Sequence, residues 1–421
     1  MRRAHPLLFV VLLLVPSAAW AQGDPIGPEF RVNTYTTSFQ ALQAKQSVAA
    51  DASGNFVVVW ASYMQDGSNW GVFGQRYANT GAPLGGEFRV NTYTTGAQAW
   101  PSVAADSAGN FVIVWQGNTQ DGSAYGVFGQ RYASAGDALG PEFRVNTFTT
   151  FAQGYPSLAT DPAGNFIVVW EGNVQDGSAD GVFGQRYASS GTPLGPEFRV
   201  NSYTTTIQNE ASVAADANGN FVVVWRSYVQ DGSVWGVFGQ RYASTGAPVG
   251  GEFRVNTYTT GDQVWPSVAA DSAGNFVVAW HSNIQDGSSA GVFGQRYAST
   301  GGALAAEFRV NSYTTDNQVV PEVAADPSGN FVVVWTSFLQ DASVAGVFGQ
   351  RYASTGAPLG PEFRVNTYTT DRQLIPSVVV EPSGKFVVVW NSYLQDGSAD
   401  GVFAQRYSMI VPVELMHFGI E

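Results

Sequence analysis

Pro101-Ser-Val-Ala-Ala-Asp106-Ser-Ala-Gly-Asn110-Phe-Val-Ile-Val-Trp115 is the stretch that decides the fold. Pro101 to Asp106 reads as a short strand, Asp106 to Asn110 as a tight turn built on Asp, Gly and Asn, and Phe111 to Trp115 as a second strand. The second strand is apolar at every position, so both of its faces must be covered. Its flanks complete the unit. A loop on Gln120-Asp-Gly-Ser123 leads to Gly126-Val-Phe-Gly-Gln-Arg-Tyr132, and a Gly/Pro turn leads to Glu142-Phe-Arg-Val-Asn146. This predicts four antiparallel strands, named a, b, c and d in chain order.

The unit recurs seven times. Its tryptophans fall at Trp60, Trp115, Trp170, Trp225, Trp280, Trp335 and Trp390, a step of 55 residues. A period of this size marks repeated supersecondary units, not separate domains. Four-stranded sheets that stack face to face with strand b doubly buried describe an all-β, seven-bladed β-propeller, with the small Val-Ala-Ala of strand a nearest the axis. The array begins on strand d, at Glu29 to Asn33, and ends on strand c, at Gly401 to Tyr407. The N-terminal strand is therefore expected to complete the last blade and close the ring, leaving no open edge. The segment Val411 to Phe418 is a competing source of that strand.

The blade grammar of PSVAADSAGNFVVVW resembles the propeller repeat of the NHL family, in which a Pro and a short apolar strand lead to Asp-x-x-Gly-Asn and a second strand. The resemblance runs across almost the whole chain after residue 28 and implies architecture only, because propellers serve many functions. This chain has Val-Val-Trp where that family usually has Tyr-Val-Ala-Asp. The FRVN and QDGS phrases also resemble repeats of large secreted bacterial proteins, which implies export.

The two ends and the composition narrow the setting. Met1-Arg-Arg, the apolar run Leu7 to Val15 and Ala19-Trp20-Ala21 form the pattern of a secretory signal, with cleavage expected after Ala21. Residues 22–28 are then a short leader, 29–407 the propeller and 408–421 a tail. No later apolar run approaches the length of a membrane span. There is no cysteine, so stability is expected to come from packing. The net charge of −13 argues against a nucleic-acid partner. Fourteen of the twenty basic residues are the Arg of EFRV or of QRY, and such even placement reads as structural. Pairing of these arginines with the Glu of EFRV is the expectation.

Exceptions among the copies separate framework from freedom. Ala404 replaces the Gly of GVFGQRY in the last copy, so that position needs a small side chain, to make room for a neighbouring ring, and not a positive φ. Ala342 replaces the Gly of QDG, which argues against an obligatory left-handed residue there. The tryptophans admit no exception and are read as core. The repeated Asp of AAD and of QDG is expected to cap its own turn.

Three positions vary freely, all in loops expected on the face that carries the b-to-c and d-to-a connections. The residue after each Trp includes Gln116, Glu171, Arg226, His281 and Asn391. The residue before GVFG includes Trp70, Tyr125 and Trp235, and the residue before strand a includes Trp100, Tyr155 and Trp265. Aromatic rings beside polar groups suit a glycan or a protein ligand, whereas a loop that nothing constrains varies in the same way.

Enzymatic chemistry has one opening. With three histidines and no cysteine, His-based metal sites and Ser-His-Asp triads are disfavoured. A carboxylate pair could serve glycoside cleavage, and Glu171, Asp180, Glu210, Asp262, Asp316, Asp371 and Asp400 all fall in loops of that face, though nothing in their spacing selects a pair. Asp176 with Asp180, and Asp396 with Asp400, are weak calcium candidates at four-residue spacing, so no cofactor is expected beyond a possible calcium ion. Three readings follow: an exported non-catalytic binder of a glycan or surface component, a carbohydrate-active hydrolase or lyase, or a structural envelope protein. Oligomeric state is not legible.

Overall fold

The computed structural model describes residues 25–408, and the expected signal segment and the tail beyond Ser408 lie outside them. Seven four-stranded antiparallel blades form a β-propeller. Blade 2 shows the standard unit: strand a is Gln98–Ala105, strand b Phe111–Asn118, strand c Tyr125–Tyr132 and strand d Phe143–Arg144. In blade 1 strand a is split into Gln40–Ala41 and Val48–Ala50. No helix among the described residues is long and apolar enough to cross a membrane.

Strand b explains the stacking. Its residues alternate in facing, so one strand feeds two cores. Val112 and Val114 pack with Trp170, Phe166 and Tyr187 of blade 3, while Phe111, Ile113 and Trp115 pack with Val57, Val59 and Val72 of blade 1. All seven strand-b tryptophans are fully buried. The Phe of strand b stacks on the Tyr of QRY, as in Phe111 and Tyr132 with ring centroids 4.9 Å apart.

Blade 7 takes its outer strand from the N-terminus. Phe30 and Arg31 pair with Ala404 and Phe403, and Val32 N–H donates to Val402 O at 2.8 Å. The Asp of AAD caps its turn as expected: Asp106 Oδ1 accepts from the amides of Ala108 and Asn110, each at 2.9 Å.

Two details differ from expectation. Glu142 of EFRV does not turn to an arginine; it accepts from the amide and hydroxyl of Thr92 in the preceding connection and from Gln120 Nε2. Six of the seven QRY arginines donate instead to turn carbonyls of the next blade, as in Arg76 Nη1 to Ser134 O at 2.7 Å. Ala342 has φ 68°, so the QDG position is left-handed in the copy that lacks glycine too, and the turn imposes this conformation on alanine. The Gly of GVFGQRY does make room for a ring: a Cβ on Gly74 would come within 2.8 Å of Phe88 Cζ.

Candidate functional site

Strand a carries a bulge in six blades. Its register with strand b shifts between Ala99 and Ser102 in blade 2, and equivalently in blades 3 to 7. The bulged residues are Trp100, Tyr155, Glu210, Trp265, Val320 and Ile375, and all have φ between 51° and 56°. Left-handed backbone is costly for large and β-branched side chains, and a bulge re-aims the side chain it carries. Four of the bulged side chains, Trp100, Tyr155, Glu210 and Trp265, line one cavity, whereas Ile375 packs against the core shared by blades 7 and 1.

In blades 2, 3 and 6 the residue after the Trp holds the next bulge in place. Gln116 Oε1 accepts from Tyr155 N at 3.2 Å, Glu171 Oε1 from Glu210 N at 2.7 Å, and Thr336 Oγ1 from Ile375 N at 3.1 Å. Asn391 Oδ1 accepts from Leu42 N at 2.7 Å. Gln116, Glu171, His281 and Asn391 are correspondingly buried. In the four blades of Gln116, Glu171, Thr336 and Asn391 the position varies in identity and is constant in task, since many polar side chains can accept one hydrogen bond. Ala61 has no acceptor to offer, His281 Nδ1 is buried without a partner, and Arg226 is a donor. It bonds Asn209 Oδ1 through Nε at 2.7 Å, pairs with Glu210 Oε1 at 3.1 Å and lies over the Trp235 ring at 4.2 Å. Glu210 Oε2 accepts from Trp265 N instead, at 2.9 Å.

Blade 1 departs from the pattern by three residues. Its two EFRV glutamates, Glu29 and Glu87, are 58 apart where later intervals are 55, and the extra residues split strand a. They form a hub on the axis. Gln46 Oε1 accepts from the hydroxyls of Ser102 and Ser157 at 3.2 and 2.9 Å, Gln46 Nε2 donates to Val213 O at 3.0 Å, and Gln46 N–H donates to Glu322 Oε1 at 3.3 Å. Lys45 Nζ donates to Glu210 O at 3.3 Å and to Pro266 O. Ser47 N–H donates to Ser377 Oγ at 3.0 Å, and Trp100 N–H donates to Gln43 Oε1 at 3.0 Å. One segment therefore touches all six other blades. Glu322 stands where the other blades have the Ser of PSV or its equivalent, opposite the lysine that only blade 1 supplies.

Above this hub lies a cavity of about 380 Å³. Trp100, Tyr155 and Trp265 supply its aromatic wall, with Trp100 and Tyr155 edge to face at 4.7 Å. Glu171, Asp180, Asn209, Glu210, Arg226, Gln43 and Lys45 supply polar groups. Burial raises the Glu171 carboxyl to about 8, outweighing the hydrogen bond it accepts from Glu210 N. Burial also raises Glu210, against the pull of Arg226 and Lys45. Glu322, beneath, is raised to about 7 by burial. Burial lowers Lys45 and takes His281 down to about 3.

Of the residues singled out in the sequence, Glu171, Asp180, Arg226, Trp100 and Trp265 meet at this cavity, joined by Tyr155 and Glu210. Trp235 backs Arg226. Trp70 packs edge on against Tyr63, and Tyr125 begins strand c of blade 2, outside the cavity lining. Asp176 Oδ1 caps its turn through Ser178 N, Asp180 Oδ1 accepts from Asn173, Asp396 accepts from Ser398 N, and Asp400 lies 3.7 Å from Arg372. Among the described residues no three acidic or histidine side chains converge on a point that could hold a metal ion. Lys45, Gln46 and Glu322 were missed in the sequence; the longer first interval and the Pro-Glu at 321–322 were their signals.

No protein-family model and no curated protein matches the sequence. The similarity to solved structures lies in the fold alone. A protein of unknown function from Dyadobacter fermentans is 11% identical, with a TM-score of 0.53, covering 74% of this chain and 95% of its own. A fungal alcohol oxidase of the AA5 family, solved with copper, is 14% identical, with a TM-score of 0.52, covering 91% of this chain and 76% of its own. The β-propeller domain of the Trilobed protease from Pyrococcus furiosus is 7% identical over 91% of this chain and all of its own, at a TM-score of 0.47.

Proposed function

We propose that this chain is an exported, non-catalytic propeller that binds a sugar unit of a glycan in the cavity above the hub. The observation that carries the reading is the union of three aromatic side chains, Trp100, Tyr155 and Trp265, with hydrogen-bonding groups around one cavity of about 380 Å³. That size lies at the lower end of the range for small-molecule sites. Aromatic faces suit the C–H surface of a sugar ring, while Asn209 Nδ2 and Gln43 Nε2 suit its hydroxyls as donors and Asp180 as an acceptor.

Binding without catalysis is favoured by how the carboxylates are committed. Both oxygens of Glu210 are taken, by Arg226 and by Trp265 N, and one oxygen of Glu171 is taken by Glu210 N. A glycosidase needs one carboxyl group as acid and another as base or nucleophile. One observation favours that second reading: Glu171 holds its proton to about pH 8 and so is protonated at neutral pH, as a general acid must be. Export is part of the proposal and rests on the pattern of residues 1–21.

A glycan array probed with the mature chain, with and without calcium, tests the reading. Binding that is lost in W265A supports it, and no binding in either condition overturns it. Release of reducing ends from a bound glycan, abolished in E171Q, would replace it with the hydrolase reading.

A further inference from the structure

We propose that Lys45 is a carbonyl-capturing amine, and that the floor of the cavity takes a small aldehyde, or an aldose in its open-chain form, as an imine on Nζ. Three observations carry this. Lys45 lines the cavity while its Nζ is anchored by the backbone carbonyls of Glu210 and Pro266, which fixes two N–H directions and leaves the third valence of the nitrogen for a ligand. The Trp265 ring lies 5.8 Å from Nζ and gives an apolar wall for the carbon that would be attacked. Glu171, on the same wall, is a carboxyl that keeps its proton at neutral pH.

Electrostatics point the same way. Removal from water favours the uncharged amine, and the charge of Arg226 adds to that effect against the opposing pull of Glu210 and Glu322. A lysine in a desolvated site beside another cation is how an amine becomes nucleophilic at neutral pH. In the step itself the nitrogen lone pair attacks the carbonyl carbon, and the carbonyl oxygen takes a proton from Glu171. The nitrogen then passes one proton to the Glu171 carboxylate, which returns it to the hydroxyl as that group leaves as water, and the iminium so formed gives its remaining N–H proton back to Glu171 to leave the imine. The sum is amine plus aldehyde giving imine plus water, with no change of oxidation state. Glu210 and Glu322 would offset the charge of a protonated imine.

A lysine that is only a strut in the hub would be buried in the same way, and the composition of the chain separates the two. There are just two lysines, and Lys385 is exposed on a turn, an internal reference for ordinary reactivity. The test is limiting glycolaldehyde with cyanoborohydride at pH 7 on the intact mature protein, followed by peptide mass mapping over time. Each unit by which an amine's pKa falls raises its neutral fraction about tenfold at pH values below that pKa. Lys45, whose pKa burial lowers, is therefore expected to label faster than Lys385. Equal or slower labelling of Lys45, or none, overturns the proposal, and needs no variant that might misfold. The inference shares the cavity with the sugar-binding reading but does not require it: glycan binding that survives in K45R leaves the sugar-binding reading standing without the amine, and selective labelling of Lys45 in a protein that binds nothing on the array leaves the amine standing without that reading.

Discussion

Glu29 Oε2 accepts hydrogen bonds from both the amide and the hydroxyl of Thr367, at 2.7 and 2.9 Å. The same pair of bonds joins Glu142 to Thr92 between blades 1 and 2, so the joint made across the chain's two ends repeats the joints made along it. Glu29 also accepts from Gln395, as Glu142 does from Gln120. Deleting Glu29 to Asn33 should expose the edge of Asp400–Tyr407 and unseat Val32, which packs with Trp60 and Val389 in the core shared by blades 7 and 1. A sharp fall in Tm is expected by calorimetry, while E29Q, which keeps an acceptor oxygen, should lower it far less. An unchanged melt for the deletion would refute ring closure by this strand.

The stability that Glu171 and Glu322 contribute should fall as pH rises from 6.5 to 8. Glu171 and Glu322 keep their protons in the folded state to about 8 and about 7, whereas in the unfolded chain they lose them near 4.5. The folded state therefore binds more protons across this window, and the stability these groups give is present below the unfolded value and is lost through the folded one. His281 works in the opposite sense, being held neutral to about pH 3 against 6.5 unfolded, so its contribution is lost as pH falls below 6.5. Above 6.5 Lys45, whose pKa burial lowers, works against the two acids, and Glu210, which burial raises, works with them. The comparison of wild type with E171Q isolates the Glu171 share: in denaturant melts the midpoint should fall more steeply between pH 6.5 and 8 in the wild type than in E171Q.

The blades were legible because their causes are local. Asp106 and Asn110 make one turn, and Phe111 to Trp115 make one doubly buried strand, whatever else the chain does. The cavity was only partly legible. Trp100, Trp265, Glu171 and Arg226 stood out as differences between copies, but difference was read as freedom. In the structure Gln116 and Glu171 hold the bulge amide of the next blade, and the identity varies because that amide asks only for an acceptor. Lys45 and Glu322 come from blades 1 and 6 and meet only because the ring brings every strand a to one axis. No local pattern announces such a pair; a three-residue excess in the first interval does.

Left-handed strain on the loops should be removable. Met64, Val174, Val229, Ile284, Leu339 and Leu394 precede the QDG turns with φ between 56° and 64°, and all are exposed. Ile284 is the clearest case, being β-branched at φ 59° and 54% exposed. Its side chain has little packing to lose, while glycine adopts this conformation without the Cβ penalty of about 1–2 kcal/mol. I284G should therefore be neutral to stabilising by up to about 1 kcal/mol in urea melts once the extra freedom of glycine in the unfolded chain is counted. A loss of more than about 1 kcal/mol would mean that the isoleucine is held by contacts that its exposure does not reveal.

The hub should behave as a coupled pair. Lys45 and Glu322 each perturb the other's ionisation, and Glu322 Oε1 in addition accepts from Gln46 N. Removing one member leaves the other buried and uncompensated, which typically costs about 3–5 kcal/mol. K45M should destabilise on that scale, moderated to the extent that Glu322, freed of the downward pull of the lysine, can take up a proton. The loss in K45M should accordingly be larger at pH 8 than at pH 6. Adding E322S gives blade 6 the serine found at 267 and 377, whose neighbours already use it: Val323 N donates to Ser267 Oγ at 3.1 Å, and Ser47 N to Ser377 Oγ at 3.0 Å. K45M/E322S should recover most of the loss. Additive effects of the two substitutions in a double-mutant cycle would show that the charges do not interact and that the three extra residues of blade 1 hold the axis through Gln46 alone.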